Sequence, residues 1–132
     1  MIRAAFAALL LTASTAAAEP LDTAAKFEAY VRARTIFFHL GEGQIYASER
    51  YMADRRVRWS LLEGACQEGE WWAQDGLICF AYEGNANAQC WKVDLTPEGM
   101  RATSDDAINP LVIYEAQGVT GDQTCTGPRV GV

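Results

Sequence analysis

The chain has 132 residues, half of them hydrophobic, with 11 Lys and Arg against 17 Asp and Glu and a formal net charge of −6. That length suits one domain with a core of its own. The acidity argues against general nucleic-acid binding, which draws its affinity from clustered Lys and Arg, and it favours solubility without identifying a partner.

Arg3 gives a short positive start, and Ala4 to Leu11 is an unbroken apolar run containing Phe6, Leu9 and Leu10. Small residues follow, ending in Ala16-Ala17-Ala18 before Glu19-Pro20. This order is that of a secretory signal peptide, and the run is far short of the about 20 apolar residues that span a bilayer. Residues 1–18 are therefore expected to be removed by cleavage after Ala18. That leaves 132 less 18, or 114 residues (19–132) as a single domain; with Arg3 gone its side-chain charge is −7. No Cys lies near the cleavage site to take a lipid, and no later stretch is apolar enough for a membrane helix. The expected location is periplasmic or secreted, in a bacterium.

Residues 22–34 read as a helix. Asp22 or Thr23 can cap it, Ala24, Ala25, Lys26 and Glu28 favour it, and Phe27, Tyr30 and Val31 form one apolar stripe. From Thr35 the pattern turns to short β-rich runs broken by Gly, Asn and Asp. They are residues 35–40, 44–52, 57–61, 65–72, 77–82, 89–95, 100–103 and 111–116. Val57, Trp59 and Leu61 alternate with Arg56, Arg58 and Ser60, the period of a half-buried strand. Asp75-Gly76 is a hairpin signal. The tail from Gly118 to Val132 reads as mostly irregular. The fold class expected is mainly β: an antiparallel meander of seven or eight strands with one N-terminal helix, curled or closed into a small barrel, which removes exposed edges. A two-sheet sandwich is the alternative.

Cys66, Cys79, Cys90 and Cys125 are spaced by 13, 11 and 35 positions, with no C-x-x-C. An even count in an exported chain favours disulfides over metal or redox sites. If residues 83–86 form the loop between strands 77–82 and 89–95, Cys79 falls opposite Cys90. Ile78, Phe80 and Tyr82 then share a face with Trp91, Val93 and Leu95, a consistency that a one-residue slip destroys. The Asp75-Gly76 turn sets Cys79 opposite Trp72, not Cys66. Cys66 is left for Cys125.

Catalytic signals are sparse. His39 is the single histidine, following Ile36-Phe37-Phe38, and there is no G-x-S-x-G, H-E-x-x-H, P-loop or G-x-G-x-x-G. No metal and no cofactor are expected; Asp105-Asp106 reads as a solvated turn. Arg50, Arg55, Arg56 and Arg58 fall within nine positions. They fit either a site for a carboxylate, phosphate or acidic partner, or cross-strand pairing with Glu49, Asp54, Glu68 and Glu70 and stacking on Trp. Trp59 and Trp91 read as core, while the neighbours Trp71 and Trp72 must face opposite sides. The candidate binding residues are thus Arg55, Arg56, Arg58, Trp71 and Trp72.

The run Arg55-Arg56-Val57-Arg58-Trp59, then Cys66-x-x-Gly69-x-Trp71, Ile78-Cys79-Phe80-x-Tyr82 and Cys90-Trp91, resembles a family of small exported bacterial proteins. The tail Cys125-x-Gly127-Pro128 with Val130-Gly131-Val132 is similar too, so the resemblance covers residues 35–132. It implies export and a shared β fold and transfers no catalytic residue. Gly69-Glu70-Trp71 also resembles the G-x-W of lipocalins, but mid-chain rather than in the first strand, so the barrel is lipocalin-like only by analogy. The function expected is a non-catalytic binding module for a small apolar ligand or an envelope protein. The alternatives are a hydrolase that pairs His39 with carboxylates and a structural envelope component.

Overall fold

The computed structural model describes residues 11–14, 16–62 and 64–125. Most of the expected signal peptide, Glu63 and the tail residues from Thr126 to Val132 lie outside the described residues, and with them the Gly127-Pro128 and Val130-Gly131-Val132 motifs.

The elements are β1 (Glu19–Pro20), α1 (Ala24–Val31), β2 (Thr35–His39), β3 (Ile45–Tyr51), β4 (Arg56–Leu61), β5 (Cys66–Gln74), β6 (Leu77–Tyr82), β7 (Gln89–Thr96), β8 (Gly99–Ser104) and β9 (Val112–Glu115). Each strand from β2 to β9 pairs antiparallel with the next. The pairs Phe38–Glu115 and His39–Tyr114 join β9 back to β2. The result is a closed eight-strand barrel rather than a sandwich. Closure leaves no edge within the eight strands. β1 is the extra strand, laid on β7 with Glu19 opposite Leu95.

Local chemistry accounts for the register. Asp75 and Gly76 both take positive φ, 52° and 78°, as a two-residue hairpin turn of the primed kind requires. Gln74 then faces Leu77 and Trp72 faces Cys79. In the next hairpin Ile78 faces Trp91 and Cys79 faces Cys90. The two cysteines point outward at disulfide distance, Cα–Cα 4.0 Å, and Cys66 and Cys125 form the second such pair at 5.3 Å. Two pairs of this kind suit an oxidising compartment. Among the described residues no helix is long and apolar enough to cross a membrane.

The helix is shorter than the sequence pattern suggests, 24–31 instead of 22–34. The Thr23 side chain caps it by accepting from the Lys26 N–H at 3.2 Å, while Asp22 pairs with Lys26 Nζ at 3.0 Å. It stops at Arg32, whose ψ of 125° leaves the helical range, and Ala33 at φ 57°. The helix formers Arg32, Ala33 and Arg34 are overridden because the chain must turn into β2 at Thr35.

Phe27 and Val31 are fully buried. Phe27 meets Tyr51, Trp71 and Phe80 edge-on, with centroids 5.6, 4.9 and 6.3 Å apart. The helix therefore covers the barrel end that carries the β3–β4, β5–β6 and β7–β8 turns. Its far side is tied down by Glu115. That carboxylate accepts from the Tyr30 hydroxyl, from Arg34 Nη2 at 2.7 Å and from the Met100 N–H at 2.8 Å.

On the outside, Ser48, Ser60 and Cys66 form a row across β3, β4 and β5 and are buried. The irregular tail covers them. Gln123 Nε2 donates to Ser48 O at 3.1 Å and to Arg58 O at 2.8 Å, and Cys125 pins the same segment to Cys66. A segment without secondary structure is thus held by one side-chain amide and one cross-link.

Candidate functional site

Inward-facing residues alternate along every strand, and they leave a cavity of about 230 Å³ inside the barrel. Its floor, at the α1 end, is Phe27, Tyr51 and Phe80; its walls include Phe38, Trp59, Trp91, Met100 and Ile113. At the opposite end it is lined by Gln67, Asn85, Gln89 and Leu111, of which the last three are exposed, so the cavity opens there. Leu61 at the end of β4, and Leu40, Leu62 and Ile108 on the connections at that end, are also exposed.

Two backbone features shape the walls. His39 pairs with Ile45 but Phe38 pairs with Ala47, so Tyr46 is an extra residue in β3. A bulge of this kind re-aims a side chain, and Tyr46 lines the cavity against Trp59 at 6.2 Å between centroids. Gly69 is the second. A Cβ there would lie 2.4 Å from the Ala81 carbonyl oxygen and 2.7 Å from Tyr82 Cδ1. Only glycine lets the Tyr82 ring pass over β5.

That passage brings the Tyr82 hydroxyl to Glu49. Tyr82 donates to Glu49 Oε1 at 2.7 Å, while Oε2 is buried without a partner. Glu49 is 1% exposed and sits across from Trp59. Burial pushes its carboxyl up to about 8, against the hydrogen bond from Tyr82, which favours the ionised form. Burial, and then the Glu49 charge, pushes the Tyr82 and Tyr51 phenols well above the usual tyrosine range. Among the described residues no Lys, Arg or His lines this cavity. The chamber is thus mainly aromatic and apolar, with one acidic oxygen that lacks a hydrogen-bond partner.

Sequence reasoning placed Glu49 among the acids available to the arginines; the structure turns it inward instead. The signal was present in β3: Ala47, Glu49 and Tyr51 share one phase of the alternation, and Glu49 is the polar member of a buried row.

The structure does not gather the arginine and tryptophan candidates into one site. Arg58 Nε pairs with Glu68 at 2.7 Å, Arg56 lies 3.9 Å from Glu83, and the Arg55 guanidinium sits 5.2 Å from the Trp71 ring centroid. Arg50 donates to Ala33 O at 2.8 Å. Trp71 is 2% exposed, sealed beneath Phe27, while Trp72 lies on the outer face with its indole N–H on Gln74 Oε1 at 3.1 Å. Trp59 and Trp91, read as core, line the cavity.

His39 lies on the outer face, stacked on Tyr114 with ring centroids 5.6 Å apart. Its Nδ1 is buried without a hydrogen-bond partner. It shares an outer hollow with Glu42 and Glu98, but no hydrogen bond joins it to a carboxylate among the described residues. Asp106 closes a turn by accepting from the Ile108 and Asn109 N–H groups, which lowers its carboxyl below the usual range. Among the described residues no group of three or more His, Cys, Asp or Glu is placed to hold a metal ion.

Comparison with known proteins finds no matching family model, no matching curated protein and no matching solved structure.

Proposed function

We propose that this is a non-catalytic binding protein, exported to the bacterial periplasm, that holds a small and largely apolar molecule inside its barrel. The observation that carries this reading is the aromatic-walled cavity open at one end. Its volume of about 230 Å³ exceeds the about 150 Å³ that suffices for an apolar protein cavity to take up benzene. A ligand of one or two rings, or a short branched chain, fits. The N-terminal secretory pattern and the two cysteine pairs support the compartment. The hydrolase reading lacks a carboxylate bonded to His39 among the described residues, and His39 sits in an outer-face hollow rather than inside the barrel.

Side-chain methyl NMR of the isotope-labelled protein titrated with toluene tests the reading. The expected result is saturable shifts at Ile113, Val93, Met100 and Ala102, with the outer-face residues still. Shifts confined to the outer face, or none at all, would overturn it.

A further inference from the structure

We propose that the ligand is a small organic cation, an ammonium group on an apolar body, with the ammonium at Glu49 Oε2 and the body against Trp59 and Trp91. This rests on the binding reading above and names the chemistry of that same cavity.

The first support is the unsatisfied oxygen. Glu49 is fully buried, lines the cavity, and has one carboxylate oxygen already engaged by Tyr82. The other has no partner. Tyr82 donates its hydroxyl to Oε1, which leaves Oε2 as the oxygen without a partner. On the ionised carboxylate that remaining oxygen is an acceptor, and a charged donor satisfies it best.

The second support is what surrounds it. Phe38, Tyr46, Trp59, Tyr82 and Trp91 line the same space, and aromatic walls attract an ammonium group through the ring quadrupoles. A neutral apolar ligand would gain from these walls but leave Oε2 unpaired. An anionic ligand would meet a buried acid with no cation to answer it.

The third support is the absence of an internal counter-charge. Among the described residues the ionisable side chains lining the cavity are Glu49, Tyr46, Tyr51 and Tyr82, none of which supplies positive charge. The arginines are engaged elsewhere: Arg34 with Glu115, Arg58 with Glu68 and Arg101 with Asp94. An arriving ammonium supplies the missing charge, and the ion pair forms as Glu49 releases its proton to solvent. The chain's net charge of −6 draws cations toward it.

The test compares three probes of one shape by titration calorimetry at pH 7.5: 2-phenylethylamine, 2-phenylethanol and phenylacetate. The protein is the disulfide-intact exported form, wild type and Glu49→Gln. The amine should bind the wild type at least about tenfold more tightly than the alcohol, with phenylacetate weakest. In Glu49→Gln the amine-to-alcohol ratio should fall to about one, since a neutral amide gives an ammonium no charge to pair with. If amine and alcohol bind the wild type equally, the cation inference fails while the binding reading stands. If none of the three binds, both fail. A ratio in Glu49→Gln as large as in the wild type also overturns the inference, by placing the ammonium elsewhere. Should the variant not fold, the wild-type ratio alone decides.

Discussion

The Glu49→Gln variant also isolates what it costs to hold a carboxyl inside the barrel without a cation. In the unfolded chain this carboxyl titrates near its ordinary value of 4.5; in the folded protein burial pushes it up to about 8. Below 4.5 it is protonated in both states and contributes no difference. Between 4.5 and 8 the folded protein keeps a proton that the unfolded chain has released, so stability falls as pH rises through this window. Above 8 the penalty is complete. At about 1.4 kcal/mol for each tenfold change in proton affinity, the full penalty approaches about 5 kcal/mol. The amide in the variant does not titrate, and its carbonyl oxygen can still accept from Tyr82. Guanidinium unfolding of both proteins at pH 5, 7 and 8, disulfides intact, cancels the titrations they share. The variant should gain about 3 kcal/mol relative to the wild type between pH 5 and pH 8. Unfolding free energies that run parallel across that range would refute the argument and place Glu49 in a solvated, ordinary setting.

Three further outcomes follow from packing and cross-linking. Gly69→Ala should lose about 2 kcal/mol or more, because its Cβ would strike the Ala81 carbonyl and the Tyr82 ring. Tyr82 should then part from Glu49, which thermal melting and loss of the wild-type pH slope would both report. Phe27→Ala removes the ring seated on Tyr51, Trp71 and Phe80 and should cost about 3–5 kcal/mol in denaturant unfolding. A loss under about 1 kcal/mol would mean that the helix does not seal the barrel. Replacing Cys66 and Cys125 together by Ser opens a link spanning 59 residues and should cost about 4 kcal/mol by loop entropy. Amide exchange should speed up around Gln123, Ser48 and Ser60 and not at β6–β7; uniform protection would contradict the strap.

Much of the fold was legible because strands and tight turns are local physics. The alternation of Val57, Trp59 and Leu61 marked β4, and Asp75-Gly76 fixed the β5–β6 register to the residue. The face-matching of Ile78 with Trp91 put Cys79 against Cys90. The same alternation placed Trp71 and Trp72 on opposite faces. It did not say which was inside, because that depends on the phase of the neighbouring strands. The arginine cluster left two readings open, a site or cross-strand pairing with stacking on Trp, for a related reason. Closeness in sequence along a strand and its turn does not make side chains converge; here they point to Trp71, Glu83, Glu68 and a backbone carbonyl.

What the sequence determined by itself was a period-two chain with hairpin turns and four cysteines whose spacing suits two cross-links. The strands, the turns and the Cys79–Cys90 pair rest on contacts between residues near one another along the chain, and Cys66 was left for Cys125 by elimination. Only the tertiary structure decided that the meander closes, that α1 stops at Val31 to cover one end, and that the tail is strapped over Ser48 and Ser60. It also decided the site. Glu49 and Tyr82 are 33 positions apart, on strands separated by two others, and they meet because Gly69 leaves room for a ring to cross. Nothing local to either residue encodes that meeting: it exists only once β3 to β6 have paired and the barrel has closed.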